Sequence, residues 1–427
     1  MVEKKQSNWL GWYFGTPLVW RVLIALVLGS IVGLIVGPKI AVIQPFGDVM
    51  VKLLKMIILP LIFFAIVSGV GGTAASKIGR ISVKILVYYF ATTVLAATLG
   101  LLLAHIFKAG LGLSFAGTSA EGATVVVPSV ASTLLNMIPD NVAAAFANGA
   151  YLQVLIFAVI FGLAISFLKE SKNDTVKEAV DAVYRFCYGG QQIMFTITKW
   201  VLEYTPIGIF ALIAVLIAQQ GPRIFGSAGL LILVCYIGYA TQLFLVYGSI
   251  LAAFRISLWK FIARAKEAML MAFSTRSSSA TLPVTLRVAQ DSLGVPVSIG
   301  GFTLPLGSQI NLDGEAYYQI ISIFFVAFAA GIHLTFVQQL IAVLIVSLGT
   351  MGTAGIAGSG PVILLAVMGM VGIKVDPGTV VASAFALILG VDVILDMGRT
   401  TINVTGDMVG TSIVAKTEGL LDLDKWK

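Results

Sequence analysis

Apolar positions in this chain come in blocks long enough to cross a bilayer, and the polar positions between them gather in a few short clusters. Six blocks follow one another from the N-terminal side: Leu18–Val36, Val49–Val70, Ile81–Phe107, Tyr151–Leu168, Ile193–Ala218 and Leu230–Phe254. A helix needs about 20 apolar residues to span hydrocarbon, so each block predicts one span. After Arg255 the pattern changes. The block Phe261–Ala289 is interrupted by Ser274–Pro283, and the block Val337–Val371 by the Gly-rich stretch Gly349–Pro361. Lipid cannot satisfy the backbone groups that such breaks release, so they predict segments that line a cavity or are buried in protein. Each is followed by a span with a polar centre: Ile299–Ala330, carrying Asn311, Asp313 and Glu315, and then Thr379–Ala415. Hairpin, helix, hairpin, helix is a duplication, and with an odd number of crossings per unit its copies are inverted. Paired interrupted segments are a pointer to a transporter binding site. The pattern thus predicts an all-α polytopic membrane protein with eight transmembrane helices, two re-entrant helical hairpins and inverted repeats.

The last span carries the densest chemistry. Asp392, Asp396, Arg399, Asn403 and Asp407 are spaced 4, 3, 4 and 4 apart, which stacks them along one helix face. Ionisable groups inside a bilayer cost several kcal/mol. A whole stripe of them therefore points to a polar path or pocket inside a bundle. The competing explanation is a structural ion-pair ladder that pins this helix to its neighbours.

Composition agrees with the membrane assignment. Hydrophobic residues make up 58% of the chain, charged residues only 11%, and the mean hydropathy is +1.00. A soluble domain carries about 25% charged residues, so this chain could not cover a globular surface. The net charge of +7 would suggest nucleic acid in a soluble protein; here its distribution matters more, and no nucleic-acid partner is expected. Sixteen lysines and arginines fall in one set of loops and ends, from Lys4 through Arg185 and Lys266 to Lys427. Only Lys39, Lys108, Arg223 and Lys374 fall in the other set. The positive-inside rule then predicts both termini on the cytoplasmic side of a plasma membrane and an even number of spans. The first residues, with Trp9, Trp12 and Tyr13, read as an interfacial segment with aromatic belt anchors rather than a cleaved signal. Cys187 and Cys235 lie in apolar sequence and are expected to be buried thiols.

The chemistry follows from donor type. Asn311, Asp313, Asn403 and Asp407 offer hard oxygens, which suit a small hard cation such as sodium when combined with unwound backbone carbonyls. His105 and His333 are the only histidines, which argues against a transition-metal site. Arg399 is a planar, permanent cation, a natural fork for a carboxylate. Asp396 could hold an ammonium or neutralise Arg399. The hydroxyls and N–H groups at Ser277–Ser279, at a hairpin tip, suit a second carboxylate. Together these suggest an amino acid as substrate.

The segments Ser277–Pro283, Asn311–Gly314, Thr353–Gly360 and Asp396–Asp407 resemble the glutamate transporter family of dicarboxylate and amino acid:cation symporters, most of all its archaeal aspartate transporters. The resemblance covers nearly the whole chain. It implies a homotrimeric transporter in the lipid bilayer, not an enzyme, with a fixed scaffold (residues 1–75 and 109–225) and a transport domain (76–108 and 226–416) that moves like an elevator. Residues 417–427 would be a cytoplasmic tail. It implies that Arg399 binds the substrate's side-chain carboxylate, Asp396 its amino group, and Asn403 with Ser278 its main-chain carboxylate. Arg276, Ser277, Glu315, Thr353, Gly355, Ile356, Gly360 and Thr400 would complete the substrate site. Sodium would be held by Tyr89, Thr92, Thr93, Gly307, Asn311, Asp313, Asn403 and Asp407, with no other cofactor. The implied activity is symport of L-aspartate or L-glutamate with cations. C4-dicarboxylates or neutral amino acids are the alternative in the same fold.

Three positions depart from the family pattern. Leu312 and Glu315 stand in the Asn-Met-Asp-Gly-Thr motif where Met and Thr are usual, and Gln309 replaces the archaeal Thr. Gln319 stands where animal members carry a proton-linked Glu. Beside Arg399, Glu315 would compete with an acidic substrate, so a shared proton and weakened sodium coupling are expected. An anion channel and an intramembrane hydrolase are the rival classes. No ring of like charge favours the first, and no histidine on the polar stripe favours the second.

Overall fold

A computed structural model describes residues 15–72, 80–113, 138–221, 224–351 and 358–426. Trp9, Trp12, Tyr13, Thr353, Gly355 and Ile356 lie outside the described residues. Within them every regular element is helical. The helices are α1 Leu18–Val36, α2 Gln44–Gly71, α3 Arg80–Phe107, α4 Val142–Ala147, α5 Tyr151–Leu168, α6 Asp174–Gln220, α7 Ile224–Ala240 and α8 Gly248–Ala253. They continue with α9 Leu258–Thr275, α10 Ser278–Asp291, α11 Val297–Ile310, α12 Asp313–Ala329, α13 Phe336–Met351, α14 Gly360–Met370 and α15 Val380–Thr417. A 3₁₀ segment, Gly37–Ile43, joins α1 to α2, and a π-helical turn, Thr241–Tyr247, joins α7 to α8 into one rod.

Five helical stretches are long and apolar enough to cross a membrane: Trp20–Gly71, Arg80–Phe107, Asp174–Gln219, Phe225–Ala253 and Val380–Thr417. The first holds two helices, α1 and α2. The apolar runs of α5, α13 and α14 are shorter. This is a multi-pass membrane protein.

Two differences from the sequence expectations matter. The span Ile299–Ala330 is not one helix; it breaks at Asn311–Leu312, between α11 and α12. Neither residue of the break is Gly or Pro, although Gly307 and Gly314 flank it. The side chains there find partners in neighbouring helices instead, so tertiary bonds replace the missing helical ones. The interruption expected over residues 274–283 is likewise only two residues long, Arg276 and Ser277, between α9 and α10. Arg276 takes a left-handed φ of 54° as the C-cap of α9, and the Ser277 side chain accepts from Ala280 N at 3.2 Å to cap α10. A non-glycine residue at positive φ is uncommon and costs free energy unless its surroundings hold it.

The helices pack in two groups, which also meet where α14 lies on α2 and α15 on α6. In the first, α2 lies along α5 and α6, and α1 lies along α6. A half-buried pair, Arg21 Nη1 to Glu203 Oε2 at 2.5 Å, staples α1 to α6. In the second, α12 and α15 pack on each other, with α3, α7 and α9 around them. Every residue of α12 except Phe328 is buried, and α15 is buried over most of its length. Helices buried all round belong in the middle of a bundle, which is where α12 and α15 carry their polar groups. Between the groups lies a crevice of about 620 Å³ bounded by Ser68, Tyr184 and Gln191 on one side and Ser279, Phe302 and Gln309 on the other. Lys55 of α2 also crosses the boundary, donating to Val375 O and lying 3.7 Å from Asp376.

Candidate functional site

Arg399 stands mid-way along α15, 2% exposed. Its Nε lies 3.0 Å from Asp396 Oδ1 and 3.1 Å from Glu315 Oε2, and its Nη1 donates to Asp392 Oδ1 at 3.0 Å. Asp396 and Asp392 come from the same helix face as Arg399, one and two turns before it along α15. Glu315 arrives from the first turn of α12. The guanidinium also lies 4.5 Å from the centre of the Tyr318 ring, a cation–π geometry. From the other side comes Gly360 at the start of α14. A Cβ there would stand 1.9 Å from Arg399 Nη1, so only glycine lets the second hairpin reach the arginine.

Asp396 links both hairpins. Its Oδ2 accepts from Gly358 N at 3.1 Å and lies 3.7 Å from Arg276 Nη1, while Oδ1 accepts from Thr400 Oγ1 at 3.2 Å. Arg276, Ser277 and Ser278 are buried at the tip of the first hairpin. Glu315 is held from behind: Gln319 Nε2 donates to its Oε1 at 2.6 Å and to Gly360 O at 3.2 Å. Asn403 Oδ1 accepts from Gly314 N at 2.8 Å, fastening α15 to the broken start of α12. The structure thus brings Arg276, Glu315, Gly360, Asp396, Arg399 and Thr400 into one cluster. Thr353, Gly355 and Ile356 fall outside the described residues.

A second cluster lies further along α15. Thr92 Oγ1 and Thr93 Oγ1 stand 3.2 and 2.8 Å from Tyr89 O, and also 3.2 and 2.8 Å from Asp313 Oδ1. Two hydroxyl protons therefore serve four oxygen contacts. Asp313 Oδ2 accepts from Tyr247 OH at 2.7 Å and Gln242 Nε2 at 2.9 Å. Asn311 Nδ2 donates to Asp407 Oδ1 at 2.9 Å, and Asn311 Oδ1 is buried with no hydrogen-bond donor among the described residues. Gly307 packs against Asp407 and Tyr89 OH. No lysine or arginine among the described residues comes within 4.0 Å of Asp313 or Asp407. An oxygen-rich pocket holding two buried carboxylates that meet only neutral donors suits a hard cation.

Besides Tyr318, whose ring lies on Arg399, three residues of these clusters had no role in the sequence reading. Asp392 is the third carboxylate on Arg399; its place on the polar stripe was visible, its partner was not. Gln242 and Tyr247 come from another span, brought together by the π turn. In such a turn residues five apart fall on nearly the same face, so both side chains reach one carboxylate. A lone Gln in an apolar span was the available signal.

Known proteins give the same picture. A family profile described as the sodium:dicarboxylate symporter family matches residues 18–417. The proton/sodium-glutamate symport protein of Geobacillus stearothermophilus is 32% identical over 425 residues, covering 96% of each chain. The proton/glutamate-aspartate symporter of Escherichia coli (strain K12) is 33% identical over 427 residues, covering 96% of this chain and 94% of the relative. A C4-dicarboxylate transport protein of Solibacter usitatus is 33% identical over 415 residues, covering 95% and 94%. With buried polar clusters between broken helices, and with these matches along nearly its full length, the chain belongs to the sodium:dicarboxylate symporter family, a family of membrane transporters and not of enzymes.

Proposed function

We propose that this protein is a cation-coupled symporter of the acidic amino acids L-aspartate and L-glutamate. The observation that carries the reading is Arg399: a fully buried arginine between the two hairpins, with Asp396 one turn away to take an amino group. A side-chain carboxylate on the guanidinium would displace Glu315 and share Nε with Asp396. Asn403 and Ser278 would receive the main-chain carboxylate, with Arg276, Ser277, Gly360, Thr400 and the tip residues Thr353, Gly355 and Ile356 closing the site. Sodium, as co-transported cargo, would use Tyr89 O, Thr92, Thr93, Asn311 and Asp313, and a second place formed by Gly307, Asn403 and Asp407. The oxygen excess around Asp313 and Asn311 supports this assignment.

The architecture follows the same reading. Eight spans would be α1, α2, α3, α5, α6, the α7–α8 rod, the α11–α12 pair and α15, with α9–α10 and α13–α14 as the re-entrant hairpins. The first packed group would be the scaffold (1–75 and 109–225) of a homotrimer. The second (76–108 and 226–416) would be an elevator-like transport domain, with both termini cytoplasmic. A neutral amino acid is the second reading, favoured by the three carboxylates already on Arg399.

The test is uptake by the purified protein in liposomes, with sodium and proton gradients imposed separately. Sodium-driven accumulation of aspartate or glutamate, competed by neither alanine nor succinate, supports the proposal. Accumulation of alanine or serine alone overturns it in favour of the second reading. Uptake driven by protons and lost in Glu315→Gln would establish the proton link expected from the sequence; uptake driven by sodium alone would dismiss it.

A further inference from the structure

The last residues of the chain do not leave the protein. Residues 418–426 fold back across the ends of α9 and α10 remote from Arg276 and Ser277. The segment is rooted at Glu418, which pairs with Lys84 and lies 3.5 Å from Arg80. The Lys84 ammonium, aided by Arg80, holds the Glu418 carboxyl below the usual carboxylate range, so the root stays charged. From there Asp422 N donates to Gly294 O at 3.0 Å, in the turn between α10 and α11, and Leu421 is buried. Gly294 has φ +71°, and a Cβ on it would stand 2.8 Å from Asp422 O.

The final turn, Asp424–Trp426, grips both arms of the hairpin. Lys425 Nζ donates to Gln290 O at 3.0 Å and to Asp291 O at 2.8 Å, the last carbonyls of α10. A cation there satisfies orphan carbonyls and meets the negative end of the helix dipole. Trp426 Nε1 donates to Leu293 O at 3.0 Å. On the other arm, Arg264 Nη2 donates to Lys425 O at 2.5 Å with its guanidinium 5.2 Å from the Trp426 ring, and Lys260 Nζ donates to Trp426 O at 2.9 Å. One short segment thus ties α3, α9, α10 and α15 together at their ends.

We propose that residues 418–426 form a clasp on the first hairpin, with Lys425 and Trp426 as positioning residues that act on the substrate site through the hairpin's far end. The inference rests on the transporter reading for its functional consequence. α10 runs unbroken from Ser278 to Asp291, with Pro283 inside it. The α10 arm carries any movement at Asp291 about 20 Å to Ser278 and the Arg276–Asp396 pair. With the base clasped, α9 and α10 cannot splay. Without it, the tip loses its fixed distance from Asp396 and the crevice beside Leu282 opens.

The experiment uses the full chain carrying Leu282→Cys, a crevice-lining reporter in α10, and separately Val362→Cys, a buried reporter in α14. The native Cys187 and Cys235 are both buried. A hydrophilic maleimide is applied to protein with and without Lys425→Ala/Trp426→Ala. Losing several hydrogen bonds predicts roughly tenfold faster labelling at position 282, little change at position 362, and a rise in KM for aspartate larger than the fall in kcat. Lys425→Arg with Trp426→Phe keeps the cation and the ring and should restore most of the parent behaviour. Gly294→Ala, which displaces Asp422 without touching the tail's own residues, should reproduce the loss. Equal acceleration at both reporters would mean the tail only stabilises the fold and overturns the proposal, as would unchanged labelling at 282. Labelling needs no substrate, so a protein that proves to carry something other than acidic amino acids fails the uptake assay without affecting this result.

Discussion

Arg399 faces three carboxylates, whereas Asp313 and Asp407, further along the same packed pair of helices, meet only neutral donors. At the first place the charge is answered from within the protein. Anything that binds the guanidinium there must displace Glu315, or share the arginine with it. At the second place two buried carboxylates have hydroxyls and amides around them but no fixed cation. A buried charge left with polar donors alone is costly, and on the proposed reading a mobile cation would be the missing partner. The proposed substrate pole is then a competition, and the proposed cation pole a deficit. Changes on each should therefore behave differently.

The largest effect is expected from Arg399→Ala. It removes the cation that all three carboxylates share and the proposed fork for an acidic side chain, leaving Arg276 beside Asp396 alone. Unpairing buried charge costs about 3–5 kcal/mol, so acidic amino acid affinity should fall more than a hundredfold. Neutral amino acids should lose much less. Calorimetric titration of both classes checks it, and near-parent aspartate binding would remove Arg399 from the site.

Next comes Asp407→Asn, which reduces the deficit instead of removing a fork. The sodium dependence of substrate binding should move to higher sodium concentration. Affinity at saturating sodium should change less than affinity at low sodium. A sodium titration that superimposes on the parent's would make Asp407 a structural partner of Asn311.

The smallest change is expected from Glu315→Gln, which leaves Arg399 with two carboxylates and keeps a side chain for Gln319 to hold. Aspartate and glutamate should bind several-fold more tightly, on the scale of one charge-assisted hydrogen bond exchanged. Weaker binding in the variant would mean that Glu315 orients Arg399 for the substrate and does not compete with it.

Much of this arrangement was legible in the sequence because membranes impose strict rules. The polar stripe from Asp392 to Asp407 had to face inward, and the breaks at residues 274–283 and 349–361 had to be covered by protein. Family motifs then brought Tyr89, Thr92 and Thr93 to Asp313, and the structure places their oxygens together. The break at Asn311–Leu312 was not legible, since neither of its residues is Gly or Pro; bonds from Asp313 to α3 and to the π turn hold it. Nor was the pairing of Gln242 with Tyr247, because a five-residue spacing belongs to neither helix nor strand periodicity. The tail looked like a charged cytoplasmic end. Its hold on the hairpin depends on backbone carbonyls at Gln290, Asp291 and Leu293, which carry no side-chain signature.

The sign of the buried charge has a consequence for voltage. With every group ionised, Arg276 and Arg399 stand against Asp313, Glu315, Asp392, Asp396 and Asp407, the buried acids and bases of this site. Three negative charges remain in excess. For a body that carries this site across a bilayer, each elementary charge moved through the full field is worth about 2.3 kcal/mol per 100 mV. An inside-negative potential therefore pushes the empty site outward. Each bound cation cancels one unit of that outward push, and an acidic amino acid restores one. Cation binding is then more than a thermodynamic partner of the substrate: it decides the direction in which the membrane's field drives the loaded site.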